Sequence, residues 1–273
     1  MVTETDPRKE YMFATGEEAA ARLLLANEVF GPGTQQVLQW AGLSPGMRVA
    51  EIGCGSRLIA LWMVGVVGAE GSVTAVDRSR EQLQVAEQNA AAAGVKNIQF
   101  RQADAYDTGL PRASFNLVYS RLHDVSLHRA GESDEGDAGA VEAGRSHGLR
   151  RSRLWRHLYR AADARLPAFG GDSRCGDRAR GLDSHIGLRL PRLAREAGFP
   201  SPDVHVNQIA LLRGPGKRYW EFTLREAAPA IFAVGASTPE ELESTCSEMR
   251  SIAADESILL MVARLTQVWA RAL

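Results

Sequence analysis

Short apolar runs of strand length alternate with longer segments of helical periodicity over the first half of the chain. The runs lie at residues 49–52, 72–76, 98–101 and 115–119, and the helical segments at 58–67 and 80–93. Short apolar runs bounded by turn residues are typical of buried strands, and apolar residues three and four apart are typical of helices. The alternation predicts the α/β class, with a doubly wound and mostly parallel sheet.

Helical periodicity also marks the region before the first strand. It extends over residues 16–30, stops where residues 31–33 read Gly-Pro-Gly, and resumes over residues 34–41. Glycine and proline commonly end helices, so the pattern predicts two helices with a break between them. We assign residues 1–42 to an N-terminal helical cap.

The C-terminal part predicts one more strand, a pair of helices and a closing strand. The strands are expected at residues 204–211 and 265–270, and the helices at 219–234 and 238–253. Thr238 is placed as the N-cap of the second helix, with Pro239 in its first turn. Residues 43–212 and 262–273 are then the sheet domain. Residues 213–261 are a helical insertion, which we interpret as a lid over the ligand-binding edge of the sheet.

Residues 122–176 contain no apolar run that could form a fifth buried strand. The segment has no Lys, no Ile and nine Arg. A long Arg-rich stretch inside a compact domain argues against regular structure, so we expect strand five to be missing or disordered. The segment also holds four histidines, for which we expect no functional role because no metal-ligand spacing connects them. They are His123, His128, His147 and His157.

Composition and charge narrow the kind of partner. Of the 273 residues, 45% are hydrophobic and 24% charged, as in an ordinary globular protein. The net charge of −1 gives no overall field to attract nucleic acid or anionic membrane, so a small molecule is the expected partner. No apolar stretch is long enough to span a bilayer, and we expect a cytoplasmic protein. Cys54, Cys175 and Cys246 form no ligand cluster, so no metal site is predicted.

Two features indicate a cofactor that contains a nucleotide. Residues 49–55 read V-A-E-I-G-C-G, and the next apolar run ends in Asp77. A strand that enters a glycine loop lets the backbone approach a ligand, and a carboxylate after the next strand can accept hydrogen bonds from ribose hydroxyls. The dinucleotide fingerprint requires glycine where this chain has Leu58, so a nicotinamide cofactor is the weaker interpretation.

The acidic residue two positions before the first glycine, Glu51, makes this segment resemble motif I of class I S-adenosylmethionine-dependent methyltransferases. The resemblance continues through Asp77, the A-D-A segment at 103–105 and the L-P-x-x-x-F-N segment at 110–116, in the family's order. It covers residues 49–121. It implies a Rossmann-like domain and S-adenosyl-L-methionine as the cofactor.

The resemblance also implies which residues bind the cofactor. Asp77 is expected at the ribose hydroxyls and Asp104 at the adenine, with motif I at the methionine part. The full implied set is Glu51, Gly53, Cys54, Gly55, Asp77, Arg78, Asp104, Ala105 and Ser120. The family's third glycine corresponds to Arg57, which either crowds the cofactor or is a tolerated substitution. No general base is identified.

A compensated frame shift is our interpretation of residues 122–176, with a divergent surface insertion as the alternative. Back-translation of residues 145–160 with GC-rich codons, followed by removal of one base, gives a reading frame whose amino-acid sequence is typical of a buried strand. The same shift further upstream gives a K-P-G-G turn that resembles the family. Resequencing of the gene from the codon of Ser120 to that of Asp177 tests this interpretation. A read with no missing or extra base contradicts the frame shift.

The predicted function is methyl transfer from S-adenosyl-L-methionine to a small-molecule acceptor, similar to bacterial enzymes of quinone biosynthesis. One alternative is an inactive remnant that at most binds the cofactor. A weaker one is a nicotinamide-dependent oxidoreductase. The acceptor, its methylated atom and the oligomeric state are not readable from the sequence, because the walls of a substrate site vary freely on one fold.

Overall fold

The computed structural model describes residues 20–55, 58–121, 153–160, 186–233, 235–262 and 264–271, with the backbone alone at 153–160. The α-helices are α1 (Ala20–Trp40), α2 (Leu58–Val67), α3 (Arg80–Ala92), α4 (Leu190–Glu196), α5 (Tyr219–Glu226), α6 (Ala228–Ala233) and α7 (Pro239–Ala254). The strands are β1 (Arg48–Ile52), β2 (Ser72–Asp77), β3 (Ile98–Gln102), β4 (Leu117–Arg121), β5 (Arg153–Arg160), β6 (Asp203–Asn207), β7 (Ala210–Leu211), β8 (Leu260–Met261) and β9 (Arg264–Arg271). Short 3-10 helices lie at Ile186–Leu188 and Pro215–Arg218.

Seven of these strands form one sheet, in the order β3-β2-β1-β4-β5-β9-β6. The pairs from β3 to β5 are parallel, whereas β9 is antiparallel to both β5 and β6. Parallel neighbours need crossover connections, and α2 and α3 supply those that link β1, β2 and β3. The α/β class and the mostly parallel sheet are therefore confirmed. The carboxyl ends of β1 to β5 share one edge, called the carboxyl edge below.

The expectation that strand five is missing is wrong for residues 153–160. This segment pairs in parallel with β4 and antiparallel with β9, and so fills the position between them. The hydrogen bonds of a sheet join backbone groups, so an Arg-rich segment can complete the ladder without the apolar run that usually marks a buried strand. The other residues of 122–176 lie outside the described part of the chain, and the frame shift stays a prediction.

The N-terminal helix passes through residues 31–33 without the predicted break. Pro32 lies on its exposed side, where water can bind the backbone group that loses its hydrogen bond. The side chains of Phe30 and Leu38 are fully buried in two separate apolar clusters, and the Thr34 hydroxyl donates to the Phe30 carbonyl at 2.9 Å. Packing on both sides of Pro32 thus offsets the cost of a proline inside a helix, about 3 kcal/mol.

The chain between β7 and β8 forms a helical region at the carboxyl edge, called the cap below. Because β9 is antiparallel to both β5 and β6, the strand β6 ends at the same edge as β1 to β5. The 3-10 helix at Pro215–Arg218 and helices α5, α6 and α7 follow there. The helix predicted at residues 219–234 is divided into α5 and α6, and the strand predicted at 204–211 into β6 and β7. None of the described helices is long and apolar enough to cross a membrane.

Buried polar contacts fasten the cap. Arg22 of α1 forms an ion pair with Glu226 of α5, and both side chains are buried. The Lys217 side chain is also buried, and its ammonium group donates to three backbone carbonyls at 2.6 to 3.3 Å, those of Leu212, Asp255 and Ile258. The start and the end of the cap are therefore held together, and α1 is held against it.

Gly71, in the turn before β2, has no room for a side chain. An added Cβ would lie 2.6 Å from the Met47 carbonyl oxygen and 2.6 Å from the Val67 Cβ atom. We expect Gly71→Ala to lower the free energy of unfolding by roughly 1–3 kcal/mol, the usual cost of overpacking. Gly65, inside α2, has open space at the same position, so Gly65→Ala should raise it by about 0.5–1 kcal/mol. Urea unfolding measures both, and an unchanged midpoint for Gly71→Ala contradicts the clash.

Candidate cofactor site

The loop after β1 is bent by two glycines and held against β2. Gly53 and Gly55 have φ angles of +72° and +50°, a region that favours glycine. The backbone amides of Gly53 and Cys54 both donate to the Val76 carbonyl, at 2.8 and 3.0 Å. The Cys54 side chain is buried in the apolar cluster on the α2 side of the sheet. The loop is thus fixed before any ligand arrives.

The same loop faces open space at Gly55. A Cβ atom built on this residue would meet nothing within 4 Å. A ligand can therefore approach the backbone of the loop closely, which is what a glycine loop provides in nucleotide sites. Residues 56 and 57 lie outside the described residues, so the two interpretations of Arg57 stay as predicted.

Asp77 ends β2 beside this loop. One carboxylate oxygen accepts a hydrogen bond from the Gly55 amide at 2.8 Å, and the other accepts one from the Ser79 amide at 2.9 Å. Each carboxylate oxygen has a further lone pair, so Asp77 can still accept hydrogen bonds from two hydroxyl groups. The side chain is half-buried, and its neighbour Arg78 is exposed.

The other predicted residues lie along the same edge. Asp104 follows β3, is exposed, and accepts a hydrogen bond from the Tyr106 amide at 2.9 Å. Ala105 is buried in the apolar cluster on the other side of the sheet. Ser120 lies near the end of β4, where its hydroxyl is buried without a hydrogen-bond partner. The sheet order β3-β2-β1-β4 therefore arranges all nine predicted residues at the ends of four adjacent strands.

Glu51 is the one buried carboxylate among them. It is 4% exposed, and its Oε2 atom has no hydrogen-bond partner in the described part of the chain. Burial raises the pKa of Glu51 to about 8, and the nearby carboxylate of Asp77 adds to the rise. The positive charge of Arg121 and the Ala60 amide at the start of α2 act in the opposite direction on this pKa. In the ligand-free protein at pH 7, Glu51 is therefore mostly protonated.

Arg121 and Tyr119 lie near Glu51, and Thr34 contacts Arg121; the sequence patterns identified none of these three residues. Tyr119 and Arg121 belong to β4, and burial raises the pKa of the Tyr119 hydroxyl. Thr34 of α1 is fully buried and accepts a hydrogen bond from the Arg121 guanidinium at 3.4 Å. The sequence feature that could have identified Arg121 is its positive charge at the end of an otherwise uncharged, buried strand. Among the described residues, no group of three or more His, Cys, Asp or Glu side chains could hold a metal ion.

A glycine loop after β1 and a carboxylate after β2, in a mostly parallel sheet, define an α/β protein with a site for a nucleotide-containing cofactor. Comparison with known proteins shows which members of this class the chain resembles. Residues 43–134 match the family model described as methyltransferase domain. Residues 43–134, about a third of the chain, therefore match a methyltransferase domain, in agreement with the S-adenosylmethionine-dependent class that motif I predicts.

Two curated relatives illustrate the range of that class. Protein-L-isoaspartate O-methyltransferase of Thermotoga maritima is 40% identical over 83 residues, which are 30% of this chain and 26% of the relative. The 2-phytyl-1,4-naphtoquinone methyltransferase of Synechococcus elongatus is 34% identical over 85 residues, 31% of this chain and 36% of the relative. The chain thus spans about a quarter to a third of the length of these relatives. Their names specify different acceptors.

Solved structures extend the likeness over more of the chain. A SAM-dependent methyltransferase from Aquifex aeolicus superposes with a TM-score of 0.51 at 18% sequence identity, covering 70% of this chain and 90% of that chain. At this level of identity the likeness concerns the fold. The likeness in fold therefore extends well beyond residues 43–134.

Proposed function

We propose that the protein transfers a methyl group from S-adenosyl-L-methionine to a small-molecule acceptor. The observation that carries the proposal is the pairing of the Gly53 and Gly55 loop with Asp77 across β1 and β2. This arrangement presents backbone amides and a carboxylate to a nucleotide. The acidic residue Glu51, two positions before the loop, favours S-adenosylmethionine over a dinucleotide.

The residues present fit the parts of this cofactor. Asp77 has lone pairs for the two ribose hydroxyls, and the open space at Gly55 admits the nucleoside. Asp104 and Ala105 are assigned to the adenine, because β3 lies beside β2 at the edge where the ribose is bound. Cys54, Arg78 and Ser120 are assigned to the walls of the same site. The buried Ser120 hydroxyl lacks a partner that a bound cofactor would supply.

Methyl transfer requires the protein mainly to align the methyl donor with the acceptor. The bound cofactor would supply a methyl group on a sulfonium. The acceptor would form a bond to the methyl carbon while the carbon–sulfur bond breaks and its electron pair stays on sulfur. An in-line displacement needs no covalent residue of the enzyme, so holding the two reactants in line is the main contribution. The loop and Asp77 orient the donor side. A general base is needed only for an acceptor that loses a proton, and no residue is assigned that role.

A small acceptor is favoured by the cap. Its helices follow β6 at the carboxyl edge, where open parallel sheets bind ligands, and the Arg22–Glu226 pair joins it to α1. A site between the sheet and such a cap can enclose a small molecule and exclude water. The relative from Synechococcus elongatus, named for a naphthoquinone, agrees with a small and largely apolar acceptor.

Calorimetry followed by a transfer assay tests the proposal. The protein is titrated with S-adenosylhomocysteine and with NAD, then incubated with methyl-labelled S-adenosylmethionine and either reduced naphthoquinones or an isoaspartyl peptide. We expect binding of S-adenosylhomocysteine alone and label in a naphthoquinol. Binding of NAD alone overturns the cofactor assignment, and label in the peptide overturns the small-molecule assignment. Cofactor binding without label in any acceptor favours the inactive alternative.

A further inference from the structure

We infer that Arg121 anchors the carboxylate of the cofactor's methionine part and that the buried carboxyl of Glu51 accepts a hydrogen bond from its ammonium group. The inference rests on the proposed function, since it assigns this chain's own residues to one end of the cofactor. The methionine part is a zwitterion with both charges on one carbon. It is recognised by a cation for the carboxylate and an oxygen acceptor for the ammonium group, which must be close together but not bonded to each other.

The register of the sheet places the two side chains on one face. Glu51 of β1 is opposite Tyr119 of β4, and alternate residues of a strand point to the same side. Arg121, two positions after Tyr119, therefore lies on the face of Glu51 and just beyond the last paired residues of β1 and β4, Ile52 and Ser120. This position is beside the glycine loop. Asp77, assigned to the ribose, lies on the other side of β1.

Arg121 is half-buried and has no anionic partner among the described residues. Its hydrogen bond within the described part of the chain is a long one, from Nη1 to the neutral Thr34 hydroxyl at 3.4 Å. No carboxylate of the described chain lies within 4 Å of its guanidinium. A guanidinium offers five donors in a planar fork that matches a carboxylate. Within the described part of the chain, Arg121 therefore leaves most of its donors without an acceptor. A partly desolvated cation of this kind is suited to an anionic ligand.

Glu51 has the complementary deficit. Its Oε2 atom is buried without a partner among the described residues, and the positive charge of Arg121 lowers its pKa although the two side chains form no ion pair. Separate contacts keep them apart, because Glu51 interacts with the Ala60 amide and Arg121 with Thr34. An ammonium and a carboxylate on one carbon would satisfy both groups at once. Neither a neutral ligand nor a simple anion does so.

Binding of two matched ligands tests the assignment. S-adenosylhomocysteine carries the amino-acid end, whereas 5'-methylthioadenosine has the same nucleoside without it. We expect Arg121→Gln to weaken binding of S-adenosylhomocysteine by about 10- to 100-fold and to leave 5'-methylthioadenosine within about 2-fold of wild type, with Arg121→Lys in between. Arg192→Gln is the control, since Arg192 is exposed on α4 and forms an ion pair with the exposed Glu196.

Any of four results overturns the assignment. Equal weakening of both ligands by Arg121→Gln indicates a structural role. Unchanged binding of both ligands, together with a raised KM for a naphthoquinol, assigns the anion to the acceptor instead. Wild-type protein that binds neither ligand contradicts the proposed function as well. Normal wild-type binding with an unaffected variant contradicts only the role of Arg121.

Discussion

Replacement of Glu51 by Gln is expected to stabilise the ligand-free protein at neutral pH. The pKa of Glu51 is raised from 4.5 to about 8 in the folded protein. Between these values the folded state holds a proton that the unfolded state releases, so stability falls as pH rises through the window. Gln never ionises and avoids this loss. Since one pKa unit corresponds to about 1.4 kcal/mol, the gain at pH 7 is on the order of 2–3 kcal/mol.

Urea unfolding at pH 5, 6, 7 and 8 measures this effect. The difference in the free energy of unfolding between Glu51→Gln and wild type should grow over this range. The groups that face Glu51 are Arg121 and Tyr119 from β4, Asp77 from β2 and the Ala60 amide from α2. Glu87→Gln is the control, because Glu87 is an exposed partner of Arg80 and should show no such trend. A difference that does not change with pH contradicts the buried, protonated carboxyl.

Replacement of Asp77 by Ala is expected to have the largest effect on cofactor binding. The change removes the acceptor for the Gly55 amide, which fixes the loop, and the proposed acceptor of both ribose hydroxyls. Hydrogen bonds to a charged group contribute about 1.5–3 kcal/mol each, so the affinity for S-adenosylhomocysteine should fall by roughly 100- to 1000-fold. Calorimetry measures the loss.

Asp77→Ala also distinguishes binding of the cofactor's ribose from binding of its amino-acid end. Because 5'-methylthioadenosine keeps the ribose, Asp77→Ala should weaken its binding as strongly as that of S-adenosylhomocysteine, whereas Arg121→Gln should spare it. Asp203→Asn, at an exposed position of β6, is the matched control and should bind both ligands normally. An affinity of Asp77→Ala within about 3-fold of wild type would exclude a ribose role for this carboxylate.

The sequence was sufficient to predict the elements whose burial follows one simple pattern. Strands β1, β2 and β4 are apolar runs bounded by turns, and the structure leaves none of their residues exposed. The glycine loop and Asp77 were predictable because a positive φ and a carboxylate at a strand end are local requirements. The N-cap at Thr238 was equally local, and the structure has the full capping box with Glu241 there.

Features that depend on distant parts of the chain were not predictable. Helix α1 continues through Pro32 because the sheet and the cap bury its two halves. These contacts come from distant parts of the chain, so the sequence around Pro32 does not indicate them. Strand β5 exists through its backbone pairing with β4 and β9, although its residues lack an apolar pattern. The environment of Arg121 needed α1, β1 and β4 in place. Its sequence neighbours alone do not indicate a cation without a partner.

The position of β9 has a consequence for how the protein is made on the ribosome. β9 comes last among the described strands, yet it lies inside the sheet between β5 and β6. β6 has no neighbour in the described sheet until β9 has been synthesised, and one side of β5 is likewise unpaired until then. During translation both backbone edges are therefore open while the cap is being made. Open edges pair readily with other chains, so the sheet needs protection from aggregation until its inner strand arrives.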